Sequence, residues 1–321
     1  SGSATLTAIN EDATASGATV STLFNSNFAD TDGDAIGGVC LTSYTEDTNK
    51  GQWKYSTNDG GAWTALSDIT AATAGVFIRA ADELAFVPAA NWNGAAPTMT
   101  ATLSDDSGNE PATAATTNCA TTGTTTVYST ASVTLSHTVN AVNDAPTVTD
   151  TTQSLTAIAE DGTPSTTTTV SNLFSASFAD SADSDSFAGV CIISYTEDTN
   201  EGQWKWSNDG SSFTAISTVS SDSSGLILDD ASRLHFAPAA NFNGAANTIS
   251  VVLVEDSGGA LTTDATADDC SSNGGSTVYS IDTNPVVLSH SVTAVNDAPT
   301  SSGGSSSHGH PNEDATYTFT T

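Results

Sequence analysis

The chain has 321 residues, enough for about two domains, and sets 37 Asp and Glu against 5 Lys and Arg, a formal net charge of −32. Phosphate contacts need Lys and Arg, so the balance excludes a nucleic-acid binder and argues against docking on an anionic membrane surface. Hydrophobic residues are 37% and charged residues 13%; the remaining polarity is Ser, Thr, Asn and Gly, which suits strands and turns better than helices.

The first acidic element is Glu11-Asp12, followed by Asp30-Thr31-Asp32-Gly33-Asp34. Next comes Gly51-Gln52-Trp53-Lys54-Tyr55-Ser56, which alternates large aromatic and polar positions. Asn58-Asp59-Gly60-Gly61 and Trp63 follow it, a hairpin signature. A Phe86–Gly94 segment and a second acidic turn, Asp105-Asp106-Ser107-Gly108-Asn109, come after. Val133, Leu135, His137 and Val139 then alternate with polar residues, as in a half-buried strand, and Asn143-Asp144-Ala145-Pro146 closes the unit.

The same series then recurs. Glu160-Asp161, Asp180, Asp183, Asp185, Glu255-Asp256 and Asn296-Asp297 repeat the acidic elements, and Asn208-Asp209-Gly210 repeats the hairpin turn. Glu11 to Glu160 is 149 residues, and Glu160 to Glu313 is 153. The reading is two repeats, 1–145 and 146–298, with 299–321 as a linker and the first strand of a third. A chain that stops inside a repeat is expected to be a window onto a longer array. No amphipathic helix is expected. Several short strands between turn signals predict an all-β fold with one antiparallel β-sandwich per repeat.

Four cysteines fall at Cys40 and Cys119, and at Cys191 and Cys270, 79 residues apart in each pair. Equal spacing points to one bridge inside each repeat and hence to an oxidising, extracytoplasmic setting. The alternatives are buried free thiols or a zinc site, for which CxxC spacing is missing.

Alternating Asp in a short loop aims several oxygens at one centre, as hard cations such as Ca²⁺ require. Solvated acidic turns are the blander reading. Asn-Asp-Ala-Pro after a strand resembles the calcium-binding linker of cadherin repeats. The combination of Glu11-Asp12, Asp30–Asp34, Gly51–Trp63, Phe86–Gly94 and Val142–Pro146 resembles the cadherin-like tandem repeats of giant bacterial surface adhesins. The resemblance covers nearly the whole of both repeats. The cysteine pair departs from it, and so does the second loop, Asp180-Ser181-Ala182-Asp183-Ser184-Asp185.

The resemblance implies Ig- or cadherin-like sandwiches joined by Ca²⁺. The implied ligands are Glu11, Asp12, Asp30, Asp32, Asp34, Asp105, Asp106, Asn143, Asp144, Glu160, Asp161, Asp180, Asp183, Asp185, Glu255, Asp256, Asn296, Asp297 and Glu313. From Asn143 to Glu160 the chain reaches about 55 Å if extended, enough to cross one sandwich. Glu11 is therefore expected beside Asn143-Asp144, with Asp180–Asp185 and Asp256 returning to the same junction.

Trp53, Trp63, Trp92 and Trp204 read as core in preference to a carbohydrate platform. His137 and His290 read as core, and His308-Gly309-His310 as a loop. Neither a P-loop, a Gly-x-Ser-x-Gly elbow nor a His-Glu-x-x-His occurs. The expectation is a non-enzymatic, calcium-stiffened segment of an extracellular adhesin or fibre, serving surface attachment, biofilm or cell–cell adhesion. Its expected partners are neighbouring repeats or subunits and cell-surface or matrix ligands, with no membrane insertion. The rival is a carbohydrate-binding or accessory module of a secreted enzyme.

Overall fold

A computed structural model describes residues 1–300 apart from 124, 260, 262 and 264–266. Glu313, the Asn312-Glu313-Asp314 element and His308-Gly309-His310 lie outside the described residues. Each repeat is built on a six-stranded sheet. In repeat one the order is Gly2–Thr5, Tyr128–Ser136, Met99–Asp105, Ile36–Ser43, Gly75–Arg79 and Thr116–Thr117. In repeat two it is Thr152–Ser154, Val286–Ser289, Ile249–Glu255, Phe187–Ser194, Gly225–Asp229 and Ala267–Asp268. Smaller sheets complete each sandwich, among them the paired strands Gly51–Ser56 and Glu83–Pro88 and their counterparts Gly202–Ser207 and Arg233–Pro238.

The alternation read in the sequence is what buries one face. Trp53, Leu84 and Phe86 share one core with Val39, Leu41, Met99 and Leu135 from the large sheet; Trp204, Leu234 and Phe236 share the other with Val190, Ile192 and Leu288. Trp53 and Trp204 are fully buried. Their indole N–H groups donate to the carbonyls of Pro97 at 2.6 Å and Asn247 at 2.7 Å, so no polar atom is stranded. His137 and His290 stand edge-on to these tryptophans at 6.1 and 6.2 Å, and burial lowers both imidazole pKa values. Both tryptophans are thus removed from any carbohydrate surface. Trp63 and Trp92 are half-buried.

Two features differ from the sequence reading. Each repeat contains a five-residue helix, Val20–Phe24 or Val170–Phe174, where none was expected. Val20, Leu23 and Phe24 fall on one helical face, and Thr19 caps the turn by accepting from the Thr22 N–H at 3.2 Å. One turn is too short for periodicity to register. The second difference is direction. Most pairings are antiparallel, but the opening strands run parallel to the closing ones: Gly2–Thr5 along 133–136, and Ile9–Asn10 along Val139–Asn140. Repeat two does the same. Entry and exit of each repeat therefore lie at opposite ends, which suits an end-to-end array.

Both cysteine pairs are bridged, Cys40–Cys119 and Cys191–Cys270, with Cα separations of 6.4 and 6.7 Å. Each bridge ties a long loop to the outer face of the large sheet. Gly75 and Gly225 leave room for the sulfurs: a Cβ on either would meet Cys40 Sγ at 2.6 Å or Cys191 Sγ at 2.4 Å. Among the described residues no helix is long and apolar enough to cross a membrane.

The glycine contacts give a stability test. Gly75→Ala should destabilise repeat one by about 1–3 kcal/mol through overpacking, read as a lower melting transition with repeat two unchanged. A wild-type melt for this variant would show that the sulfurs do not pack there.

Candidate metal centre

The junction begins with the parallel strand pair. Pairing Asn10 with Asn140 carries Glu11 to the end of repeat one, where its own N–H donates to the Asn140 carbonyl at 3.1 Å. Glu11 is 6% exposed. Its Oε1 accepts from the Val142 N–H at 2.7 Å, and its Oε2 from Asn93 Nδ2 at 3.4 Å. The linker thus leaves repeat one with its backbone held by a carboxylate.

Repeat two grips the next residues. Asn143 Nδ2 donates to Glu255 Oε1 at 2.6 Å and to the Thr277 carbonyl at 3.3 Å. The Asp144 N–H donates to Asp183 Oδ2 at 2.6 Å, and the Ala145 N–H to the Gly275 carbonyl at 2.7 Å. Thr147–Val148 then pairs antiparallel with Phe178–Ala179, so the linker becomes part of repeat two.

The Asp180 loop is shaped by its first carboxylate. Asp180 Oδ1 accepts from the Ala182 and Asp183 N–H groups at 3.1 and 3.2 Å, and Oδ2 from the Asp185 N–H at 3.1 Å. Ser184 turns the loop at φ 66°, a left-handed conformation that Gly33 takes in repeat one at φ 91°. The result gathers carboxylate oxygens of Asp180, Asp183 and Asp185 within 4.8 Å of one another. Asp256 holds the end of the loop, its Oδ1 accepting from the Ser186 N–H at 2.9 Å.

The electrostatics of this cluster are unbalanced. At about 5 Å and an effective dielectric near 20, each pair of like charges repels by roughly 3 kcal/mol before salt screening. Among the described residues the ion pair is Lys50–Asp47, at 3.8 Å and away from the junction. Arg79 is directed to the carbonyls of Pro111 and Glu110. Burial, then Asp12, Asp183, Glu11 and Asp180, raises the Asp144 pKa. Burial also raises that of Glu255, against the opposing hydrogen bonds from Asn143 and Ser257, and that of Asp185, with Asp180, Asp256 and Asp183 adding to it.

Two oxygens point to a cation. Asp144 Oδ2 and Glu255 Oε2 are buried and have no hydrogen-bond partner among the described residues, and Glu255 is fully buried. An orphaned buried carboxylate oxygen is costly unless a cation or a proton meets it. The donors around it are all oxygen, the set a hard divalent cation such as Ca²⁺ takes, and six to eight are needed. The residues therefore fit the ion. Those able to hold it at the junction are Glu11, Asp12, Asn143, Asp144, Asp180, Asp183, Asp185, Glu255 and Asp256.

The other sequence-selected residues occupy the two outer ends. Asp30 Oδ1 accepts from the N–H groups of Asp32, Gly33 and Asp34 at 2.8, 3.0 and 3.3 Å, and Asp106 Oδ1 from that of Ala35 at 3.0 Å. Asp105 accepts from Ser107. Burial, followed by Asp30, Asp105, Asp106 and Asp32, raises the Asp34 pKa. At the far end of repeat two, Glu160 Oε1 accepts from the Val295 N–H at 2.6 Å and Oε2 from Asn243 Nδ2 at 3.2 Å. Asp161, Asn296 and Asp297 are exposed there. Sequence reasoning missed Asn93, Asn243 and the Gly275 and Thr277 carbonyls. The Asn-Gly step recurring in both repeats, at Asn93-Gly94 and Asn243-Gly244, was the available signal for the first two.

No family profile matches the chain, and no curated protein matches it in sequence. Solved structures that are similar include an endo-fucoidan hydrolase of glycoside hydrolase family 107, at 12% identity over 92% of this chain and 28% of that one, with a TM-score of 0.25. Repeats 22–24 of mouse cadherin-23 align at 12% identity over 92% of this chain and 63% of that one, with a TM-score of 0.33. Repeats 1–2 of chicken VE-cadherin align at 10% identity over 91% and 97%, with a TM-score of 0.30. The chain thus spans less than two thirds of the hydrolase and of the cadherin-23 fragment, and the TM-scores are too low to bear on function.

The raised carboxyl pKa values set a sign for pH. Asp144, Glu255 and Asp185 hold their protons more tightly folded than unfolded, so the cation-free chain takes up protons as it folds. Their contribution is fully present below the ordinary carboxylate value and is lost as pH rises through the raised one. In EDTA the junction carboxyls therefore favour folding on acidification from neutrality, against buried His137, His235 and His290, whose lowered pKa values make the unfolded chain the better proton acceptor; Glu255→Gln should melt above wild type at neutral pH and converge with it on acidification. Asp209, held at about 2 chiefly by the Ser212 and Ser211 N–H groups, adds to the opposition as pH falls from the ordinary carboxylate value toward 2. In calcium the trend should reverse, because protons and cation compete for the same oxygens. Melting curves across pH with and without EDTA check both signs.

Proposed function

We propose that the chain is a non-catalytic, calcium-stiffened spacer of an extracellular adhesin or fibre, acting in attachment to surfaces or other cells. The observation that carries this reading is the linker. Glu11 of repeat one and Asp183 and Glu255 of repeat two bind consecutive linker residues, and two buried carboxylate oxygens there lack any partner among the described residues. Without a cation the carboxylates push the repeats apart. A cation shared by both repeats converts repulsion into cross-linking and fixes their angle. The resemblance of Glu11-Asp12, the Asp loops and Val-Asn-Asp-Ala-Pro to cadherin-like adhesin repeats supports the same role. The two disulfides support an oxidising, extracytoplasmic location.

Extracellular calcium modules bind at about 10⁻⁴–10⁻³ M, so occupancy should follow millimolar calcium. At a hundredfold excess over Kd, binding adds about 2.7 kcal/mol to stability. Chelation should lower the melting temperature and broaden the interrepeat angle in X-ray scattering. Identical melts and scattering profiles in calcium and EDTA would sink the proposal.

A single substitution localises the effect. Asp144→Ala should weaken calcium binding at the junction at least tenfold while leaving each isolated repeat's fold unchanged, as read by calorimetric titration and circular dichroism. Undiminished affinity would remove Asp144 from the site.

A further inference from the structure

The outer end of repeat one carries the groove that the linker fills in repeat two. In repeat two the occupant is residues 143–149. Besides the contacts of Asn143 and Asp144, Thr147 and Val148 pair with Ala179 and Phe178, and the Thr149 N–H donates to the Ser177 carbonyl at 2.8 Å. Aligning the repeats places Asp105, Thr126, Asp32, Ala29, Phe28 and Asn27 where Glu255, Thr277, Asp183, Ala179, Phe178 and Ser177 stand. All six line one open groove of about 490 Å³. Phe28 and Ala29 belong to no strand, whereas Phe178–Ala179 forms a strand through its pairing with Thr147–Val148. The same sequence element thus exists in two states, and the added segment is the difference between them.

We propose that this groove docks the Asn296-Asp297-Ala298-Pro299-Thr300 segment of a second copy, joining molecules head to tail in a calcium-dependent manner; the inference rests on the calcium-joint reading above. The donor leaves its repeat as the internal linker does, with Glu160 holding the Val295 N–H as Glu11 holds that of Val142. Its residues 296–300 are exposed, and Val295 is 41% exposed, one of two large hydrophobic residues left open among those described. Docking adds a strand to Phe28–Ala29, an edge-pairing mode that supplies main-chain hydrogen bonds.

Charge makes the contact conditional. The acceptor end carries Asp30, Asp32, Asp34, Asp105 and Asp106, and the donor end Glu160, Asp161 and Asp297. The two ends repel unless a divalent cation sits between them. The donor also has Ser301 where the internal linker has Val148, which removes apolar contact. The internal linker is tethered and so sees a high effective concentration. Docking between copies is therefore weaker than the internal joint and depends on protein concentration.

Sedimentation velocity of the full chain in about 5 mM calcium, well above the expected Kd, tests the proposal against the same series in EDTA. The mass should rise above the 32.3 kDa monomer with protein concentration in calcium alone. A synthetic peptide of sequence 141–150, Ala-Val-Asn-Asp-Ala-Pro-Thr-Val-Thr-Asp, should cap the acceptor and return the chain to monomer. Asp32→Ala removes both acceptor oxygens, and Asn296→Ala with Asp297→Ala disables the donor. Each variant should be monomeric alone, and an equimolar mixture should form dimers but nothing longer. If a variant fails to fold, peptide competition on the wild type still decides. Wild type that stays monomeric in calcium, or association insensitive to the peptide, overturns the docking site. Scattering at high dilution keeps this separate from the joint itself: a single chain that stiffens in calcium yet never associates defeats only the docking.

Discussion

The pinning of the linker backbone is the interaction on which the junction depends. Val142 donates to Glu11, Asp144 to Asp183, Ala145 to Gly275, and Thr147–Val148 enters a strand pair with repeat two. A flexible tether would let the acidic ends drift apart to relieve their repulsion. Here successive attachments hold them together, and the charge has nowhere to go. On the calcium-joint proposal, concentrated negative charge in a fixed oxygen cage is what would give a divalent cation its affinity and the joint its stiffness.

The sandwiches matter to the joint mainly through direction. In each repeat the opening strand runs parallel to the closing strand, so both travel toward the same end. This brings Glu11 to Asn140–Val142, and Glu160 to Thr293–Val295. An opening strand pairing in the opposite direction would carry Glu11 away from the linker. The disulfides act on the same assembly from the other side. Cys270 anchors the loop whose Gly275 and Thr277 carbonyls receive linker donors, so the bridge steadies part of the linker's seat.

Much of this is legible in the amino-acid sequence. The repeat, the strand alternation around Trp53 and Val133, and the Asp59-Gly60 turn are local signals. Asp59 and Gly60 do take positive φ, at 53° and 76°. The acidic residues stand out because so few cations accompany them. The five-residue helices are not legible, because one turn leaves no period to detect, although Thr19 and Thr169 are ordinary caps. Equal cysteine spacing is compatible with several chemistries, and the approach of the two chain segments selects bridging.

What the sequence determined by itself was the kind of fold and the surplus of carboxylates, because periodicity, turn residues and a charge of −32 are properties of short stretches and of totals. Only the tertiary structure decided which oxygens meet. Asn143 and Glu255 are 112 residues apart along the chain, yet form a 2.6 Å hydrogen bond. Asp144 Oδ2 and Glu255 Oε2 became orphans only when packing removed water from them. Exposure and partnership depend on what lies opposite a side chain in space. Strand direction and register set that, and no local stretch of sequence encodes either one.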